Sequence, residues 1–239
     1  MVLYYDLHIH SALSPCASEE MTPNNIVNMA IIKGLDVIAV TDHNATYNLK
    51  AIESIAKKEG LLFIPGIEVE SCEGVHLLCY FPRVDLAEAF GEIITQSLPA
   101  IKTNKVFGQQ LIVDEEDEIV AQFEKLLINS SQFTIEEIWK YTQNYQGVMV
   151  YAHIFRGSNG VLPVLGFLPK NIRLNALEIY AQDIHREEIK RLEKEYTLLV
   201  DSDAHQLVDI HEREYALEVQ NKTVEAILNR LKMGLGDCV

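Results

Sequence analysis

Tyr4-Tyr5-Asp6-Leu7-His8-Ile9-His10 is an aromatic and aliphatic run that ends in two histidines spaced two positions apart. Such a run favours an extended strand. Residues two apart on a strand point to one side, so His8 and His10 can face a single cation. The same pattern recurs along the chain. Thr41-Asp42-His43-Asn44, Gly66-Ile67-Glu68, Ala152-His153 and Asp201-Ser202-Asp203-Ala204-His205 each close an apolar run or follow it directly. Asp203 and His205 repeat the two-residue spacing. In an α/β barrel the C-terminal strand ends converge on one face, so groups far apart in sequence can meet there.

Around these segments the chain alternates strand and helix patterns, the rhythm of βα units about a largely parallel sheet. Strands are expected near Tyr4–His8, Val37–Thr41, Leu61–Glu68, Val75–Phe81, Val148–His153, Ala176–Tyr180 and Thr197–Asp201. Thr22-Pro23 reads as an N-cap followed by proline at the first helical position, and Gly34 as the stop. Further helices are expected at Asn48–Glu59, Leu86–Ser97, Ile135–Asn144, Asp183–Glu195 and Thr223–Met233. Between about Pro99 and Phe133 the rhythm breaks. An acidic run, Asp114 to Glu118, precedes a helical pattern through Ile119, Phe123, Leu126 and Leu127. With the helix that follows, about 99–146 reads as an insert or cap within a single domain spanning 1–239, and the acidic run as a solvated turn and helix start.

Composition narrows the function classes. The chain has 239 residues, 48% of them hydrophobic and 23% charged, which suits a globular domain with a real core. No apolar stretch approaches the roughly 20 residues of a bilayer span, so no membrane association is expected. The start lacks a secretory pattern, and four cysteines without a Cys-x-x-Cys pair suit a reducing cytoplasm. The net charge of −15 makes long nucleic acid an unlikely partner on this reading.

Acids and histidines are costly to bury at strand ends without partners. Imidazole suits Zn, Mn or Fe, and a carboxylate such as Glu68 can bridge two cations. His76, on the next expected strand, can return to the same mouth. Five segments of this kind together point to a multinuclear metal site.

In their order along the chain, Asp6-Leu-His8-Ile-His10-Ser, Thr41-Asp-His43, Gly66-Ile-Glu68, Ala152-His153 and Ser202-Asp203-Ala-His205 resemble the motifs of the PHP (polymerase and histidinol phosphatase) family. The resemblance covers almost the whole chain and implies a distorted seven-stranded β/α, TIM-like barrel with the metal site at the strand C-termini. It implies two or three divalent metal ions (Zn, Mn or Fe). One would take His8, His10, Glu68 and Asp203, a second would share Glu68 and add His76 and His153, and a third would use His43 and His205. Where family members often carry His or Asp after the first motif, this chain has Ser14-Pro15-Cys16. Cys16 is either a thiolate ligand or a small buried cysteine. Asp6, Asp42 and Asp201 read as acceptors that orient the imidazoles. His185 and His211 read as solvated surface residues, and Cys72, Cys79 and Cys238 receive no role.

A cluster of cations attracts phosphate, acidifies water and offsets charge on phosphoryl oxygens. The implied activity is hydrolysis of a phosphate ester by a metal-activated hydroxide, with Glu68 and Asp203 as the central carboxylates and a small phosphomonoester or nucleotide as substrate. Arg156, three residues after His153, is placed to grip phosphate. The insert and the segment Arg156–Phe167 are candidates to cover the mouth. Two alternatives stand beside this reading. One is a nuclease or phosphatase acting on short oligonucleotide ends, and the other a non-catalytic, metal-stabilised binding domain. Oligomeric state is not legible.

Overall fold

The computed structural model of the chain describes residues 1–104 and 106–233; Cys238 lies outside the described residues. Its centre is an eight-stranded sheet of β1 (Val2–Ile9), β2 (Val37–Val40), β3 (Leu62–Glu70), β4 (His76–Tyr80), β7 (Val148–Tyr151), β8 (Ala176–Ile179), β9 (Thr197–Val200) and β10 (Ala216–Glu218). Their spatial order is β10-β1-β2-β3-β4-β7-β8-β9. All seven sequence-expected strands are present, but the sheet has an eighth, β10, antiparallel to β1. The sheet is not uniformly parallel either. β4 runs antiparallel to both β3 and β7, because only five residues, 71–75, join β3 to β4, too few for a parallel crossover. The sheet curls, and a parallel bridge between Ile9 and Ala204 ties the end of β1 to the segment after β9.

Both faces of the strands are apolar, and each side packs a separate core. Leu3, Tyr5, Leu7, Ala39, Ile64, Tyr80, Val150 and Leu199 fill the inner side of the curl, where Ile227, Leu228 and Leu231 of α7 (Val224–Lys232) join them. Ile38, Val40, Ile67, Leu77 and Tyr151 point outward, against Ile26 of α1 (Pro23–Ile32), Ile52 of α2 (Leu49–Glu59), Phe90 of α3 (Val84–Ser97) and Ile138 of α4 (Ile135–Asn144). Local signals fix the helix ends. Pro23 opens α1, Gly60 in the left-handed region closes α2, and Thr134 with Glu137 forms a reciprocal capping box at α4. Thr22 occupies the N-cap position of α1, but its hydroxyl donates to Asp117 Oδ2 (2.7 Å) and not to the helix.

The helix expected over Asp183–Glu195 is reduced to a 3-10 turn, Ala181–Asp183, and a single turn α6, Ile189–Leu192. Ile189 and Leu192 are its only buried residues, too narrow a stripe to hold a longer helix. The helical pattern after the acidic run is instead a hairpin of β5 (Leu111–Val113) and β6 (Ile119–Gln122), with the acids in its turn. Asp114 Oδ1 accepts from the amides of Glu116 and Glu118, chemistry that favours a turn over a helix start. A short helix α5 (Val161–Leu165) follows β7. Among the described residues, no helix is long and apolar enough to cross a membrane.

Candidate metal centre

The candidate site lies where β1, β2, β3, β7, β8 and β9 end, and its geometry starts from a bulge. Leu3, Tyr5 and Leu7 belong to the inner core while Ile9 belongs to the outer one, and the pairing register shifts between Asp6 and Ile9. That shift turns His8 and His10 inward together. Their Nε2 atoms lie 3.1 Å apart. Asp203 Oδ1 lies 3.3 Å from His8 Nε2 and 3.1 Å from His10 Nε2. Glu68, fully buried at the inner side of β3, places Oε1 3.5 Å from His8 Nε2, 2.7 Å from His76 Nδ1 and 3.0 Å from His153 Nε2. Its Oε2 lies 2.9 Å from His43 Nδ1 and 3.4 Å from His10 Nε2. His205 sits at the open side with Nε2 3.1 Å from Cys16 Sγ. Cys16 is exposed, which removes the reading of a small buried cysteine.

The proton inventory around β1 fixes what these imidazoles offer. His8 Nδ1 donates to Glu178 Oε1 (2.8 Å), an acceptor only. Ser14 Oγ donates to Asp42 Oδ1 (2.6 Å) and accepts from the His43 amide (3.1 Å). Its remaining contact, His10 Nδ1 at 2.9 Å, must therefore donate to it. Both Nε2 atoms are left to face Glu68 and Asp203 across the same space. Glu68 Oε2 and Asp203 Oδ1 are buried and receive no hydrogen bond. Metal bonds of about 2.1 Å at tetrahedral to right angles set donor atoms roughly 3.0–3.4 Å apart, close to the spacings found here. The donor set, imidazole with carboxylate, suits Zn, Mn or Fe. These residues fit a divalent cation.

Electrostatics points the same way. Desolvation alone would lower His8, yet Glu178, Asp203 and Glu68 hold it well above the usual imidazole range. Burial would likewise raise Glu68, but His76, His8 and His43 keep it well below a free glutamate. Asp203 is pushed up by burial and drawn down further by His8 and His10. His10 moves the other way, held low by desolvation and by neighbouring His205 and His43. The cluster is thus organised around positive charge. Desolvation opposes thiolate formation at Cys16, but hydrogen bonds to His205 and His43 bring the thiol down to about 6.

Three residues that orient the cluster lie outside the sequence reading. Glu178 in β8 holds His8 through Oε1 and accepts from the His153 amide through Oε2 (2.6 Å). His153 adopts φ +28°, a strained value for a residue with a side chain, so that amide contact holds the strained backbone. Ser14 relays Asp42 to His10. Glu70 lies 3.5 Å from His76 Nε2 and accepts from Ser130 Oγ (2.8 Å). Of the three expected orienting acids, only Asp42 acts on an imidazole, and it does so through Ser14. Asp201 Oδ1 accepts from the Leu7 amide (2.6 Å), and Asp6 accepts from the amides of Ser202 and His211 (3.2 and 3.0 Å). Asp201 thus serves a backbone donor at the bulge, and Asp6 ties β1 to the segment between β9 and β10. That anchoring also leaves His211 half-buried beside Tyr215, while His185 is exposed as expected. Arg156 lies at the rim, where Nη1 donates to Asp203 Oδ2 (3.1 Å), and Tyr180 OH donates to the same oxygen (2.8 Å).

A curled α/β sheet with an acid and imidazole cluster at its strand ends defines a metal-dependent hydrolase scaffold. The chain belongs to the PHP domain family, whose model matches residues 6–222, a family of metal-dependent phosphoesterases. The 5'-3' exoribonuclease of Haemophilus influenzae is 31% identical over 81 residues, 33% of this chain and 28% of that protein. The 3',5'-nucleoside bisphosphate phosphatase of Chromobacterium violaceum is 34% identical over 71 residues, 30% of this chain and 24% of that protein. Each match thus spans less than a third of the relative's length. The lesion-specific endonuclease of Pyrococcus furiosus has the same fold, with TM-score 0.73 and 24% identity over 97% of this chain and 56% of that one. The expectation that long nucleic acid is an unlikely partner is therefore not supported, because this fold serves an endonuclease.

Proposed function

We propose that this chain hydrolyses a phosphate ester on a small phosphorylated substrate, a phosphomonoester or nucleotide. The observation that carries the proposal is the pair of buried, unpartnered oxygens, Glu68 Oε2 and Asp203 Oδ1, set among inward-facing imidazoles with Arg156 at the rim. His8, His10, Glu68 and Asp203 would hold one cation, and Glu68 with His76 and His153 a second. His43, His205 and Cys16 would hold a third. Cations bound there supply Lewis acidity, making water nucleophilic near neutral pH and offsetting charge on the phosphoryl group. The chain's own residues do the rest. Glu178 and Ser14 fix the imidazole tautomers. Arg156 offers a planar fork to phosphate oxygens.

The insert of about 99–146 is read as a cap that shapes entry. Leu111 N–H donates to Ala12 O (2.8 Å), and Asn48 accepts from the Val113 amide (2.9 Å), so β5 is tied both to the loop that carries Ser14 and Cys16 and to the loop that carries His43. A second reading, action on short oligonucleotide ends, draws on the exoribonuclease relative. One assay separates them. Metal-loaded protein is offered a panel of phosphomonoesters, nucleoside monophosphates and bisphosphates, and short labelled oligonucleotides. Release of phosphate from small esters, lost by about 100-fold or more in Glu68→Gln and Asp203→Asn, is the expected result. Equal activity in those variants overturns the site, and cleavage confined to oligonucleotides overturns the substrate.

A further inference from the structure

Two donors meet on the oxygen of Asp203 that faces away from His8 and His10. Tyr180 OH donates to Oδ2 at 2.8 Å and Arg156 Nη1 at 3.1 Å, while Oδ1 keeps its lone pairs toward the two Nε2 atoms. The two donors differ in kind. Arg156 is a flexible side chain at the rim, 38% exposed. Tyr180 is anchored, because its ring stacks on His153 (centroids 5.6 Å apart, planes at 30°). It follows Glu178 at the two-residue spacing of the strand, so both side chains face the site. Asp203 itself sits at φ +53°, the left-handed region that aspartate visits as a single residue.

We infer that Tyr180 is a positioning residue that keeps Asp203 a one-oxygen ligand, so that Arg156 can transfer from Asp203 to the substrate's phosphate without loss of the carboxylate's aim. This rests on the proposed phosphoesterase reading for Arg156, but the claim about Tyr180 and Asp203 concerns cation binding alone. With the tyrosine hydroxyl removed, Oδ2 would keep only the flexible Arg156 as donor, and Asp203 would rotate away from the aim the two Nε2 atoms require even before phosphate draws Arg156 off. An orienting contact of this kind is worth about 10-fold to 100-fold in metal affinity or activity.

The test uses the full chain and Tyr180→Phe, which keeps the ring on His153 and removes only the hydroxyl. Zn and Mn binding is measured by calorimetry at fixed pH, with melting temperatures as the check on folding. The expected result is metal binding weakened about 10-fold, and kcat on a phosphomonoester lowered with KM nearly unchanged. Arg156→Ala should show the reverse split, KM raised and inhibition by inorganic phosphate weakened. In Asp203→Asn, adding Tyr180→Phe should weaken metal binding little further, because the two act as a unit. Metal affinity of Tyr180→Phe within twofold of wild type overturns the inference, as does full additivity with Asp203→Asn. If the wild type binds metal but hydrolyses no ester, the phosphoesterase reading fails while the affinity comparison still decides the role of Tyr180.

Discussion

Replacing Glu178 with glutamine tests the site's construction without touching a candidate metal ligand. The two oxygens of Glu178 accept from two buried donors, His8 Nδ1 at 2.8 Å and the His153 amide at 2.6 Å. Glutamine has the same shape but one acceptor oxygen, so its NH2 must confront one of the two donors. A buried donor left without an acceptor costs about 1–3 kcal/mol. If the loss falls on His8, its tautomer is no longer fixed and Nε2 ceases to be a dedicated lone pair. If it falls on the His153 amide, the residue relaxes from φ +28° and its ring leaves Glu68. One effect opposes these. Asp201 is raised well above a free aspartate by desolvation and then by Glu178, so removing the glutamate charge relieves like-charge repulsion. A raised pKa means that Asp201 takes up a proton more readily, which already removes part of that repulsion, and the unpaired donor outweighs the remainder.

The expected outcome for Glu178→Gln is Zn or Mn affinity lower by about 10-fold to 100-fold, equivalent to about 1.4–2.7 kcal/mol. Calorimetric titration reads the affinity directly. Melting with and without metal reads it again, since a 10-fold weaker site gives up about 1.4 kcal/mol of ligand stabilisation at a fixed excess of metal. If Glu178→Gln bound metal within twofold of wild type and showed the same metal-induced shift in melting, the argument from fixed tautomers would be refuted.

Two further outcomes follow from packing and from thiol chemistry. Gly108 has φ +91°, and a Cβ there would lie 2.0 Å from the Pro15 carbonyl oxygen, so Gly108→Ala should cost about 1–3 kcal/mol in urea denaturation. Gly157→Ala, where nothing lies within 4 Å, should stay within about 0.5 kcal/mol, and equal costs at the two sites would contradict the packing of the insert on Pro15. In alkylation followed by mass spectrometry, metal-free Cys16, with its thiol near 6, should react at a rate that levels off above that pH. Exposed Cys72, raised by desolvation and by Glu73, should still be accelerating at pH 8, and Cys79, buried and pushed up to about 12, should react only on unfolding. Metal should protect Cys16 selectively, and labelling of Cys16 that metal leaves unchanged would remove it from the ligand set.

What the sequence makes legible here depends on contrast. His8, His43, Glu68 and Asp203 stand out because each is a polar group at the edge of an apolar run, where burial without a partner is expensive. Glu178 is just as buried, yet in Ala176-Leu177-Glu178-Ile179 it looks like the outward residue of an alternating strand. Only the fact that both faces of this sheet are covered makes a lone mid-strand acid conspicuous, and that fact belongs to tertiary structure. Ser14 is hidden for a different reason, since a loop serine has no pattern to break. In the insert, Ile119, Phe123 and Leu126 fit helical spacing, but Leu111–Val113 supplies a partner strand across a tight acidic turn, and pairing overrides the local period. β10 escaped because three residues carry too little periodicity to register.

Net charge is a weak guide to the partner because it is a sum over the whole surface, whereas a ligand meets the field at the mouth. At physiological ionic strength exposed charges are screened beyond about 8 Å, so an acidic hairpin turn such as Asp114–Glu118 says little about what a phosphate encounters deeper in. The described groups nearest the open side are His205, Arg156, Tyr180 and Cys16, with Asp203 just beneath them and its outer oxygen already satisfied by two donors. Cations held by the imidazoles would add to that local balance, and it is this small region that sets affinity for a phosphoryl group. Whether the rest of a nucleic acid can follow depends on the shape and charge of the insert's rim. The salt dependence of binding to a nucleotide and to an oligonucleotide should separate these contributions. A slope that steepens with oligonucleotide length would mean contacts along the backbone, and a constant slope would confine recognition to the terminal phosphate.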